Sequence, residues 1–177
     1  MGVVKNLIIV EDVFKNIFSY LPDMKFDETN VDLDYYKVRF SYGDEKELIA
    51  FLNSTENETK KPYPLIWLVY PYNEKHLKTK VELNNVKFIV AVDNSEISQL
   101  YSERIELSYK TIIMPLCNNI VKVLTKANII NIKHEFNITK FPNYGVNEAH
   151  IADTPWDAAR ITFSCDILNT CLKPIKL

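Results

Sequence analysis

Leu65-Ile-Trp-Leu-Val69 is apolar at every position, with Pro64 directly before it and Pro71 two residues after it. A run this short between prolines does not make a helix; it reads as a strand covered on both faces, which requires packed layers above and below it. A second dense run, Val86-Lys-Phe-Ile-Val-Ala-Val-Asp93, follows after a charged connection. From Tyr63 to Asp93 the chain therefore predicts the paired central strands of a sheet.

The flanking segments fill in the layers. Ile9, Val10, Val13, Phe14, Ile17 and Leu21 recur at helical spacing, with Glu11, Asp12, Lys15, Asn16 and Ser19 on the other side, so 7–21 predicts an amphipathic helix stopped by Pro22. The acidic stretch 23–32 reads as a loop. Residues 33–42 alternate, with Tyr36, Val38, Phe40 and Tyr42 on one face, and predict a strand with one wet face. Gly43-Asp44 turns the chain into a short helix over 47–52, whose Leu48, Phe51 and Leu52 can sit on the sheet. The polar run 54–61 and Pro62 then lead to the first central strand.

Residues 72–85 carry Lys75, His76, Lys78 and Lys80 with few apolar positions, and predict a projecting hairpin arm or long loop. The segment 96–108 has no readable period. Beyond it, Ile112, Leu116, Ile120, Val123 and Ala127 fall in one narrow arc at 100° per residue, a helix whose buried stripe contributes on the order of 10 kcal/mol before conformational entropy is set against it. Pro115 falls in its first turns, on the polar side. A strand is expected over 129–138, a long irregular loop over 140–157 holding Phe141, Tyr144, His150 and Trp156, and a closing strand over 158–168. This order predicts one domain spanning 1–177. Its class is an α/β (α+β) sandwich with a mixed or antiparallel sheet of about five strands, two main helices on one face and the projecting arm.

Composition removes several functions. Only three glycines occur, Gly2, Gly43 and Gly145, too far apart to build a phosphate-cradling loop, which argues against Rossmann or Walker nucleotide binding. A net charge of −2 and a pI near 5.9 argue against a nucleic-acid binder that works by releasing counterions, a mode that needs a clustered basic face, although a local basic strip is left open. Cys117, Cys165 and Cys171 show no metal or redox spacing, and Met1-Gly-Val-Val-Lys leads straight into an amphipathic pattern without a secretory leader. A reducing compartment with buried thiols is the expectation.

Two clusters invite a chemical reading. His150, Asp153 and Asp157 offer three metal-ligand types within eight residues, but the spacing matches no zinc pattern and reads as a surface loop. Asp34 followed by Asp44-Glu45-Lys46 resembles an acidic residue with an acid-x-Lys pair, the core of a Mg²⁺-dependent nuclease or hydrolase. Acidic residues opening a helix are equally expected from the backbone dipole alone. No catalytic, cofactor-binding or metal-binding residue is assigned. Trp156, amphipathic and flanked by Pro155 and Asp157, is a candidate interface anchor or a loop-packing residue.

Tyr63-Pro-Leu-Ile-Trp-Leu68, the preceding amphipathic helix, and Ser108-Tyr-Lys-Thr-Ile-Ile-Met-Pro-Leu-Cys-Asn-Asn-Ile-Val-Lys-Val-Leu124 before two closing strands resemble small tailed-bacteriophage connector proteins. The nearest group is the tail terminator or tail-completion family, including neck-ring proteins of crAss-like phages infecting Bacteroides. The resemblance implies a non-enzymatic virion protein, assembled in the host bacterial cytoplasm into a closed homo-oligomeric ring, a hexamer or dodecamer. Its expected partners are further copies of itself and adjacent connector or tail proteins, with no membrane and no cofactor, and with DNA only passing through the lumen. The segments matching the ring contacts are 72–85 and 140–157, which puts Tyr72, Lys75, His76, Lys78, Lys80, Phe141, Tyr144 and Trp156 forward as interface residues. The alternatives are a small metal-dependent nuclease or hydrolase, and an intracellular adaptor binding one protein partner through the Trp156 loop.

Overall fold

A computed structural model describes residues 8–22, 38–54, 64–93, 100–144 and 156–169. The fold is α+β, built on two long antiparallel strands, β4 (Lys80–Asp93) and β7 (Trp156–Leu168). Two shorter strands share the outer side of each. β2 (Leu65–Val69) and β3 (Asn73–His76) both pair with β4, while β5 (Ile130–Ile132) and β6 (Asn137–Tyr144) both pair with β7. β1 (Arg39–Gly43) adds to β2 in parallel, which makes the seven-stranded sheet mixed. The strands exceed the expected five because both long polar connections contain strand.

One face of the sheet carries the main core. α1 (Val10–Phe18) and a long helix over 101–126 cover Ile66, Leu68, Phe88, Val90, Ile161 and Phe163, with Phe14 packed edge-on against Phe88. These are the two main helices expected on one face. α2 (Glu45–Ser54) lies on the opposite face, where Leu48, Ile49 and Leu52 cover Leu65, Trp67, Ile89, Ala91 and Trp156. Phe51 packs there too, half-buried against Trp67, and Ile49 joins the expected residues in the core. Alternate residues of β2 therefore serve two cores, which accounts for the unbroken apolar run.

α2 starts by a reciprocal cap. The Asp44 carboxylate accepts the Glu47 N–H at 2.7 Å and the Glu47 carboxylate accepts the Asp44 N–H at 2.8 Å. Gly43 just before it has φ +153°, and a Cβ there would stand 2.4 Å from Glu47 Oε2 and 2.8 Å from Trp67 Cζ2. Glycine is needed at this point for both reasons.

The long helix is α3 (Tyr101–Arg104), a π-helical stretch (Ile105–Ile113) and α4 (Met114–Lys126) in one continuous run. Pro115 falls in the first turn of α4, as expected, and the π-helical stretch leads directly into it. The wider π turns end where Pro115, lacking an N–H, would clash with the carbonyl four residues back in a regular α-helix; the Met114 N–H reaches Tyr109 O instead.

The connection 72–85 is a hairpin, but only part of it projects. Lys80 to Leu83 belong to β4 and lie between β3 and β7, with Val81 and Leu83 buried. The expected strand start at Val86 is corrected to Lys80. Leu83 pairs with Cys165 and Val86 with Phe163, so three steps on β4 match two on β7. This bulge at Asn84-Asn85, with Asn85 at φ 58°, keeps both apolar residues on the core side. The loop expected over 140–157 is likewise corrected: 140–144 complete β6, and Trp156 and Asp157 open β7.

Candidate functional site

Strand alternation sorts the residues of β3, β4, β5, β6 and β7 onto two faces. The odd residues of β7 from Ala159 to Ile167 enter the main core; Arg160, Thr162, Ser164 and Asp166 point to the other side. α2 covers only the end of that second face next to β1 and β2. The remainder is solvated and polar, as one face of an antiparallel sheet often is. Cross-strand pairing adds Lys75, Glu82 and Lys87 from β3 and β4, and Asn131, Asn137 and Thr139 from β5 and β6.

This face carries a four-residue ion network. Asp166 Oδ2 accepts Lys80 Nζ at 2.9 Å and its Oδ1 receives Lys133 Nζ at 2.8 Å; Lys80 also meets Glu82 at 2.8 Å. Burial opposes the charge on Asp166, yet the hydrogen bonds from Lys133 and Lys80 outweigh it and hold the carboxyl below its ordinary range. Glu82 is lowered chiefly by its hydrogen bond from Lys80, and Lys80 is raised by its bonds to Glu82 and Asp166. Lys75 and Lys87 make no ion pair among the described residues, and the Arg160 guanidinium lies 4.8 Å from the Phe141 ring centroid.

The residues put forward from the sequence divide into three groups. Lys75 and His76 are exposed on β3, with His76 against Glu74, and Lys78 is exposed at the hairpin tip. Lys80 joins the ion network. Tyr72 is half-buried and donates its hydroxyl to Glu11 Oε1 at 2.6 Å, beside the Tyr70 hydroxyl on the same oxygen. Burial and then the Glu11 carboxylate raise both tyrosines strongly, while for Glu11 the two hydroxyl donors prevail over burial and lower its pKa. Phe141 is half-buried and Tyr144 is buried in the α2-side core. Trp156 is 1% exposed in that same core, so the anchor reading is corrected to a packing role.

Only part of each chemical cluster lies within the described residues. Asp44 is occupied in capping α2, and Asp34, His150 and Asp153 lie outside the described residues. Asp157 is buried and paired with Arg104 at 3.0 Å, the two being 0% and 1% exposed. Tyr109 donates to Ala158 O at 3.0 Å beside them, and its pKa is raised by burial and by Asp157. Among the described residues no three His, Cys, Asp or Glu side chains are grouped to hold a metal ion, and no helix is long and apolar enough to cross a membrane.

Sequence reasoning missed Arg104, Asp166 and Lys133. Asp166 was readable as the polar side of an alternating strand; the buried Arg104 carried no such signal. No protein-family model matches the chain, and no curated protein matches it in sequence.

Proposed function

We propose that the chain is a non-enzymatic structural subunit that joins copies of itself head to tail into a closed ring, as at the head-to-tail connector of a tailed phage. The observation that carries this reading is the pair of unlike outer strands. Among the described residues β1 is paired on one side only, and so is β6 on the far side of the sheet. A contact between two different surfaces of identical copies closes into a ring when the rotation permits.

The backbone chemistry of both edges supports it. Arg39 N–H bonds Pro64 O and Gly43 O accepts from Tyr70 N–H, so in this parallel ladder Phe40 and Tyr42 turn their own N–H and C=O groups outward. Tyr42 also exposes half of its side chain there. On the other edge Pro142 has no N–H to offer, which limits further pairing to 137–140 and fixes its register. The β3–β4 hairpin, with β3 exposed throughout and Leu77 at its tip, supplies a second contact reaching beyond the sheet.

Native mass spectrometry and negative-stain microscopy of the full chain test the proposal. Rings of one size are expected. Tyr42→Pro removes an outward N–H and no internal ladder bond, so it should leave a folded monomer in place of the ring. A chain that stays monomeric at about 100 μM, well above a micromolar dissociation constant, refutes the reading, as do rings that form unchanged in Tyr42→Pro.

A further inference from the structure

The chain as a whole is acidic, with a formal charge of −2, but the solvated sheet face is not. On it, among the described strand residues and Lys133, the cations Lys75, Lys80, Lys87, Lys133 and Arg160 stand with two carboxylates, Glu82 and Asp166, a local balance of +3 for these residues. The cations come from three adjacent strands, β3, β4 and β7, and from Lys133 just after β5 on the far side of β7, a width of about 15 Å at the usual strand spacing. Between them stand the neutral donors Thr162, Ser164, Asn131, Asn137 and Thr139.

The geometry points to this face as a binding surface for the phosphate backbone of nucleic acid. Positive charge of this density attracts a polyanion by releasing its counterions, and hydroxyl and amide donors suit phosphate oxygens. A protein partner is the weaker fit. Protein interfaces are anchored by desolvated apolar or aromatic side chains, and the most exposed ones among the described residues, Ile9, Tyr42, Leu100, Tyr101 and Leu107, stand at the start of α1, on β1 and on or beside the long helix. A second copy placed face to face meets like charge. Among the described residues no exposed aromatic stands on the face to stack on a base, so recognition is independent of sequence and rests on the backbone.

The ion network gives the surface its shape. Asp166 holds Lys80 and Lys133 side by side, so these two lysines are fixed in place while Lys75 and Lys87 supply unneutralised charge. The inference concerns a single copy and does not rest on the ring proposed above.

Fluorescence anisotropy with labelled DNA, as duplex and as single strand of scrambled sequence, tests it on the full chain. Binding should weaken roughly fiftyfold between about 50 and about 200 mM salt, the dependence expected for about three neutralised phosphates. Lys75→Glu/Lys87→Glu should weaken it at least about tenfold, with an unchanged circular dichroism spectrum, while Lys122→Glu/Lys126→Glu on the exposed side of α4 should change it little. The two arms decide whether duplex or single strand supplies the backbone. No binding at low salt, or equal loss in the two double variants, overturns the inference. Salt-sensitive self-association abolished by Lys75→Glu/Lys87→Glu without DNA binding also overturns it and assigns the face to a second copy.

Discussion

Arg104→Met is the sharpest perturbation of this fold. It removes the cation from a pair in which Arg104 is 1% and Asp157 0% exposed, at 3.0 Å. Two unit charges at that separation attract by about 5 kcal/mol at an effective dielectric of about 20, and most of that is offset by their loss of water. Taking away one member of the pair removes the attraction while the other stays out of water, a cost of about 3–5 kcal/mol. Against a total stability of about 5–15 kcal/mol this is a large fraction, and it corresponds to a Tm lowered by roughly 8–16 °C. Asp157→Leu should cost a similar amount. Arg104→Met combined with Asp157→Leu should regain most of the loss, because neither charge of the pair is then buried without the other. Urea and thermal unfolding followed by circular dichroism measure all three variants. A fall in Tm below about 3 °C for Arg104→Met refutes the reasoning, as does a double variant whose loss equals the sum of the singles.

Two further outcomes follow from single sites. Gly43→Ala places a Cβ against Glu47 Oε2 and Trp67 at a backbone angle of +153°, so it should cost about 1–3 kcal/mol in chemical denaturation and loosen the α2 start. Tyr70, Tyr72 and Tyr109 have pKa values raised by burial, and for the first two also by Glu11; their contribution is whole below the ordinary tyrosine range near pH 10 and is lost as pH climbs above it, where the unfolded chain ionises first. Stability in urea should therefore fall above about pH 10, and less steeply in Tyr72→Phe.

The sequence shows the centre of the fold more clearly than its periphery, for reasons specific to each place. Leu65 to Val69 is legible because both its faces are buried, so every position is apolar. β4 was cut short because its period breaks at Asn84-Asn85: Val81 and Leu83 are in one phase, Val86, Phe88 and Val90 in the next, and a strict two-residue pattern cannot cross the bulge. A second bulge between Phe141 and Tyr144, with Pro142 inside it, disguised the end of β6 as loop. Residues 101–108 were unreadable because the two buried positions there, Arg104 and Ser108, are charged and polar and give the segment no apolar period. The polar sheet face was hidden for another reason. Its cations come from segments far apart in the chain, so an average charge of −2 conceals a face of opposite sign until the strands are paired.

The bulge in β4 separates two properties that a regular strand ties together. Asn84 and Asn85 occupy the place of one residue, so removing Asn85 would leave Val81 and Leu83 facing the core and Glu82 facing solvent as before. What it would change is direction, since a bulge bends its strand and adds local twist. The hairpin's aim is thus adjustable without altering which chemistry it displays. In a head-to-tail assembly that aim sets the rotation from one copy to the next, and so whether the series closes after few subunits, after many, or winds on as a filament.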